Sequence, residues 1–213
     1  MTDTMSSGNR RTRIKICGLT REQDIAAAVA AGADALGFVL WAGSKRAVNV
    51  ARLAELSRHV PAFVTRVGLF VDANETEVIA AAPYLDLLQF HGNETPEMCR
   101  AFGRPYIKAL RMRDGIDLAA EVLRYHDARG ILLDAYRPGV PGGTGETFDW
   151  SRIPAGLPLP VILAGGLEAH NVATAVEQVT PYAVDVSGGV ESAPGEKDVE
   201  RMQAFCREVL SRI

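Results

Sequence analysis

The chain has 213 residues, of which 47% are hydrophobic and 23% charged, and its formal net charge is −3. That length suits one large core rather than two, and the composition is that of an ordinary soluble globule. The slight acidity speaks against a nucleic-acid surface, and no apolar run is long enough to span a bilayer, so neither nucleic acid nor membrane is an expected partner.

The opening residues are polar and lack the apolar stretch of a signal peptide. Residues 1–12 are expected to be a disordered leader and 13–213 the folded domain. Residues 13–17 read as a first strand, followed by an Ala-rich helix over 22–31. Thr20 with Gln23 makes a capping-box pattern before that helix, and Gly32 suits a left-handed terminus after it. A strand over 35–40 precedes a helix over 50–58. A third strand over 66–71 leads to a helix over 75–82, where Asn74 with Glu77 again resembles a capping box. The strand over 86–91 is followed by a helix over 96–102, with Pro96 at the first helical position. Next come strand 106–111 with helix 118–125, and strand 130–134 with only a short stretch near 149–153. Strand 160–164 pairs with helix 169–178, and strand 183–187 with a closing helix over 197–211. Three cysteines at wide spacings fit neither a disulfide framework nor a zinc site, and they imply a reducing cytoplasm. Cys206 continues an apolar helical stripe and Cys99 lies in a short helix, so both are expected to pack.

Alternating strands and helices imply a parallel sheet with right-handed crossovers. Eight such units in about 200 residues point to a compact (β/α)8 TIM barrel. An open doubly wound sheet would often carry a Gly-rich fingerprint after its first strand, and Cys17-Gly18-Leu19-Thr20 does not match one.

In such barrels the active site lies at the carboxyl ends of the strands, and residue parity tells which side chains point inward. Lys15 and Cys17 then share the inner face of the first strand, with Cys17 at its end. Gln89 and His91 share the fourth, Leu132 and Asp134 the sixth, and Asp185 and Ser187 the eighth. Each has a plainer reading: a small buried thiol, a turn-capping aspartate, a satisfied core hydrogen-bond pair, and for Arg46 a solvated loop charge. Their shared placement at one barrel mouth favours function, because buried polar groups are costly without partners. Gly165 and Gly166 end the seventh strand, and Ser187 with Gly188 the eighth. These are the two loops where the fold recurrently binds phosphate.

The chain resembles the phosphoribosylanthranilate isomerase family from about Arg13 to its end. The motifs are Lys15-Ile16-Cys17-Gly18-Leu19-Thr20, Ser44-Lys45-Arg46, Leu88-Gln89-Phe90-His91-Gly92, Leu132-Leu133-Asp134-Ala135 and Gly142-Gly143-Thr144-Gly145. Leu163-Ala164-Gly165-Gly166-Leu167, Asp185-Val186-Ser187-Gly188-Gly189-Val190-Glu191 and Pro194-Gly195-Glu196-Lys197-Asp198 complete the set. The resemblance implies an isomerase of tryptophan biosynthesis with no cofactor and no metal, acting by an Amadori rearrangement on a small phosphorylated substrate, as a monomer or homodimer. It implies that Asp134 is the general acid and Cys17 the general base. Arg46 would hold the anthranilate carboxylate, with Lys15, Gln89, His91 and Asp185 also contacting substrate. Gly165, Gly166, Ser187 and Gly188 would cradle its phosphate, while Gly142, Gly143, Thr144 and Gly145 would belong to a mobile loop. Lys45 stands where proline is usual and Gly188 where a second serine is common.

The chemistry makes its own demands. An acid must keep its proton near neutrality, and a thiol base needs a positive neighbour, which Lys15 would supply. A histidine-pathway barrel isomerase would want an aspartate where Cys17 stands. A decarboxylating lyase would want catalytic lysines and glutamates at several strand ends, and the only support for it is that Lys108, on the opposite face from Ile107 and Ala109, could point inward. A non-catalytic phosphate sensor would have no use for both an acid and a base.

Overall fold

The structure, a computed structural model, describes residues 11–135 and 147–211. Eight strands close into a parallel barrel in chain order. They are β1 (Arg13–Cys17), β2 (Ala35–Val39), β3 (Thr65–Phe70), β4 (Leu87–Phe90), β5 (Tyr106–Arg111), β6 (Ile131–Asp134), β7 (Val161–Leu163) and β8 (Ala183–Val186). The helices outside them are α1 (Glu22–Ala31), α2 (Val50–Ser57), α3 (Glu75–Ala81), α4 (Pro96–Arg100), α5 (Leu118–Arg124), α6 (Val172–Val179) and α7 (Val199–Leu210). Among the described residues between β6 and β7 stands a single 3-10 turn, Trp150–Arg152. A two-stranded hairpin, β9 (Glu191–Ala193) with β10 (Glu196–Lys197), is inserted between β8 and α7.

Local chemistry sets the helix ends. Asn74 and Glu77 form a reciprocal capping box on α3, and Thr95 caps α4 with Pro96 in its first turn. Gly32 ends α1 at φ +101°, where a side chain would be disfavoured. The capping expectation at Thr20 fails: Arg21 is the N-cap of α1 and its side chain makes no cap bond. The Thr20 hydroxyl is drawn instead to the carbonyl of Gly195 in the hairpin. The sixth helix starts at Val172, because Asn171 turns its side chain onto the Glu168 N–H and the Gly166 carbonyl. Lys197 belongs to β10 rather than to the closing helix, which Asp198 caps.

Parity divides the hydrophobic residues between two compartments. Ile14, Ile16, Leu36, Phe38, Leu133 and Val184 face outward and join helix residues such as Ile25, Leu53 and Phe205 in the main core. Ile107, Ala109, Leu132, Ile162, Ala164 and Ala183 fill the barrel interior. A third cluster, Cys17, Val39 and Leu69 with Trp41 and Val71, lines the carboxyl end of the strands. Cys99 and Cys206 are buried in the outer core, as the helical stripe suggested. No helix among the described residues is long and apolar enough to cross a membrane. Residues 1–10 and the Gly142–Gly145 stretch lie outside the described residues, while Arg11 pairs with Asp34 and the Thr12 hydroxyl bonds the Pro181 carbonyl.

Candidate active site

Barrel closure sets the first pair of charges. In the β1–β8 ladder Lys15 stands opposite Asp185, and its ammonium donates to Asp185 Oδ1 at 2.8 Å. Both side chains are buried inside the barrel. Burial opposes the Lys15 charge, but Asp185 and the Cys17 thiol outweigh it and hold the ammonium above its ordinary range.

Cys17 ends β1 opposite Gly37. A Cβ on Gly37 would come within 2.6 Å of the Cys17 sulfur, so the glycine makes room for the thiol. Burial pushes the Cys17 thiol up, Lys15 and Lys197 pull it back, and Asp185 adds to the rise. The net direction is upward, against the expectation that Lys15 alone would produce a ready thiolate. The two structural cysteines are a useful contrast. Burial pushes Cys99 up to about 12 and Cys206 up to about 11. At Cys99 the opposing cations are Lys108 and Arg100, and at Cys206 burial is reinforced by Asp34, whereas Cys17 faces both Lys15 and Lys197.

On the far side, β4 and β6 build a polar chain. Gln89 Nε2 lies 3.1 Å from His91 Nδ1, and His91 Nε2 lies 3.2 Å from Asp134 Oδ2. With the Gln89 amide in this orientation its NH2 faces Nδ1, which places the ring proton of a neutral His91 on Nε2, toward Asp134. The other carboxylate oxygen of Asp134 accepts from the Ala135 N–H at 2.9 Å. Gln89 Oε1 is buried without a partner among the described residues. Beside Asp134, Gly165 and Gly166 take φ of +84° and +61°. A Cβ on Gly165 would reach within 2.9 Å of Asp134 Oδ1, so backbone and acid approach each other closely only because the residue is glycine.

Arg46 lies in the loop after β2, which Ala47 ties back to Val39. Its guanidinium is partly buried and paired rather than a free surface charge. Nε and Nη2 each lie 2.7 Å from a separate oxygen of Glu191, a two-pronged bond. Glu191 also accepts from Lys197 Nζ at 2.8 Å, and Lys197 reaches the Ser187 carbonyl at 3.1 Å. Neither Glu191 nor Lys197 was among the expected site residues. The signal available was the pair of opposite charges flanking the Pro194-Gly195 turn.

Lys108 is corrected. Ile107 and Ala109 fill the interior, so Lys108 points outward beneath α5. There its ammonium donates to Gly92 O at 2.7 Å, Glu94 Oε2 at 2.9 Å and Phe90 O at 3.4 Å. The inward lysine that a decarboxylating lyase would need is therefore absent at this position.

A closed eight-stranded barrel with a buried thiol, an imidazole-linked carboxyl and several cations facing its carboxyl end defines a (β/α)8-barrel enzyme. Residues 14–208 match the family model of N-(5'-phosphoribosyl)anthranilate isomerase, and the chain belongs to that family. It is 69% identical over 205 residues to the N-(5'-phosphoribosyl)anthranilate isomerase of Chromohalobacter salexigens, covering 96% of this chain and 97% of that one. The phosphoribosylanthranilate isomerase of Thermotoga maritima superposes with a TM-score of 0.85 at 38% identity, covering 93% and 98% of the two chains. A crystal structure of the isomerase in complex with reduced 1-(o-carboxyphenylamino)-1-deoxyribulose 5-phosphate has a TM-score of 0.81 at 37% identity, with the same coverage.

Proposed function

We propose that the chain converts N-(5'-phosphoribosyl)anthranilate to 1-(2-carboxyphenylamino)-1-deoxyribulose 5-phosphate by acid–base catalysis at the barrel mouth. The observation that carries the reading is the pair Cys17 and Asp134, buried polar groups at the ends of β1 and β6, each with a partner suited to proton transfer.

Asp134 protonates the furanose ring oxygen, the ring opens, and the anilino nitrogen forms an iminium with C1′. The Cys17 thiolate then removes the C2′ proton to give an enolamine, which tautomerises to the ketone with a proton delivered to C1′. No electrons leave the substrate, so no redox partner is needed. His91, held by Gln89, lies 3.2 Å from Asp134 Oδ2 and fixes the orientation of the acid. The orphaned Gln89 Oε1 would accept a substrate hydroxyl. Lys15 supports the thiolate directly. Gly165, Gly166, Ser187 and Gly188 receive the phosphate in the loops after β7 and β8. Arg46 holds the anthranilate carboxylate.

The test is the decay of anthranilate fluorescence with freshly made substrate. Wild type is expected to consume it rapidly, and Cys17→Ala and Asp134→Asn each to slow it by about 10²–10⁴-fold. An inactive wild type would reject the isomerase reading. A fast Cys17→Ala variant would remove the thiol from its role.

A further inference from the structure

Arg46 poses a difficulty for the role just assigned to it: a carboxylate already occupies it. The partner is built into the chain. Glu191 opens β9 and Lys197 closes β10, so the two stand opposite each other across the hairpin. Glu191 is buried and accepts from Arg46 Nε and Nη2, from Lys197 Nζ and from the Gly195 N–H at 3.3 Å.

The hairpin is itself clamped. The Lys197 N–H donates to Asp24 at 3.1 Å, and Asp24 is gripped by Arg21, whose guanidinium also reaches the Lys197 carbonyl. Arg201 of α7 holds the Glu191 carbonyl. A buried carboxylate tied at this many points cannot follow a moving partner, so it fixes the guanidinium instead.

What remains free on Arg46 follows from its shape. A guanidinium has five N–H groups, and Glu191 takes the Nε–Nη2 edge. The Nη1–Nη2 edge still offers a second parallel pair of donors, which is the geometry a carboxylate prefers. The stem of Arg46 crosses Gly18, where a Cβ would fall 2.5 Å from its Cδ, and Nη2 lies beside Gly188. The side chain therefore runs from the β2 loop past the residue next to Cys17 toward the end of β8.

Resting on the assignment of Arg46 to the substrate carboxylate, we propose that Glu191, braced by Lys197, is the positioning residue that aims Arg46 and thereby sets selectivity for a carboxylated aromatic amine. Glu191 does not touch substrate. It neutralises one edge of the guanidinium and presents the other. The shared anion also explains the charge states: Arg46 and Lys197 overcome burial and hold the Glu191 carboxyl below its ordinary range. Lys197, served by one anion that it shares with Arg46, is pressed below its ordinary value by burial.

The experiment compares the phosphoribosyl adducts of anthranilate and of aniline, which lacks the carboxylate, in wild type, Glu191→Gln, Lys197→Met and Arg46→Met. Arg46→Met is expected to raise KM for the anthranilate adduct and to erase the preference over the aniline adduct. Glu191→Gln and Lys197→Met are expected to raise KM for the anthranilate adduct by about tenfold, with the kcat change and the aniline adduct following far less. In the Arg46→Met background the Glu191→Gln substitution should add no further loss of preference. Equal losses on both adducts in Glu191→Gln would reduce the triad to a structural ion pair and overturn the proposal. Failure of Arg46→Met itself to change the preference would instead overturn the carboxylate assignment on which it rests.

Discussion

Two buried lysine–carboxylate pairs lie on opposite sides of the same barrel wall, and they are put to different uses. Lys15 with Asp185 sits inside, bonded across the β1–β8 ladder and directed at the Cys17 thiol. Lys108 with Glu94 sits outside, beneath α5, with all three ammonium donors spent on Glu94 and on the carbonyls of Phe90 and Gly92. Glu94 in turn accepts from the N–H groups of Asp72 and Gly92, so the outer pair knots together the chain just after β3 and β4. Chemically the pairs are alike. A saturated cation can only hold structure, whereas a cation that also faces a titratable group can tune it. Strand parity, a shift of a single residue, decides which role a lysine takes.

The largest effect expected from this contrast belongs to Lys108→Met. It leaves the Glu94 carboxylate buried without its cation, and chemical denaturation should show a loss of about 3–5 kcal/mol. A loss below about 1 kcal/mol would mean that the outer knot is redundant. Lys15→Met likewise leaves the Asp185 carboxylate buried without its cation, so its stability loss should be of the same order or somewhat smaller. Its signature lies in turnover, with kcat near neutral pH falling about tenfold for each unit by which the thiol rises. Unchanged kcat would remove Lys15 from the chemistry. Smallest is Asn74→Ala, which deletes the capping box at the start of α3 in the outer ring of helices. It should cost about 1 kcal/mol in stability and leave kcat and KM alone; any kinetic change would show that the helix ring is coupled to the site.

Much of this arrangement could be read in advance. The eight strands lie within a residue or so of their expected bounds, since turn signals and apolar runs mark them locally. Parity brought Lys15, Cys17, Gln89, His91, Asp134 and Asp185 to one face correctly, because the partners of each strand repeat the same alternation. Lys108 was misjudged for a physical reason: both faces of a parallel barrel strand are apolar, so Ile107 and Ala109 do not say which way is in. The charge balance at Cys17 was also hidden, since burial is a property of the assembled mouth and outweighs the neighbour two residues away. The charges flanking the Pro194-Gly195 turn did not reveal the role of Glu191, because its partner Arg46 is 145 residues distant in sequence. Only the folded chain brings the hairpin against the β2 loop.

The most direct test of the two-lysine contrast is the pH dependence of Cys17 alkylation, followed by mass spectrometry of the peptide that carries it. Burial raises this thiol and Lys15 lowers it, so removing Lys15 leaves less thiolate at any given pH. Lys15→Met should therefore slow alkylation near neutrality and move its midpoint to higher pH, while Lys108→Met, measured under conditions where it remains folded, should leave the midpoint where wild type has it. A midpoint that moves equally in both variants, or in neither, would contradict the claim that the face of the wall decides what a buried lysine does.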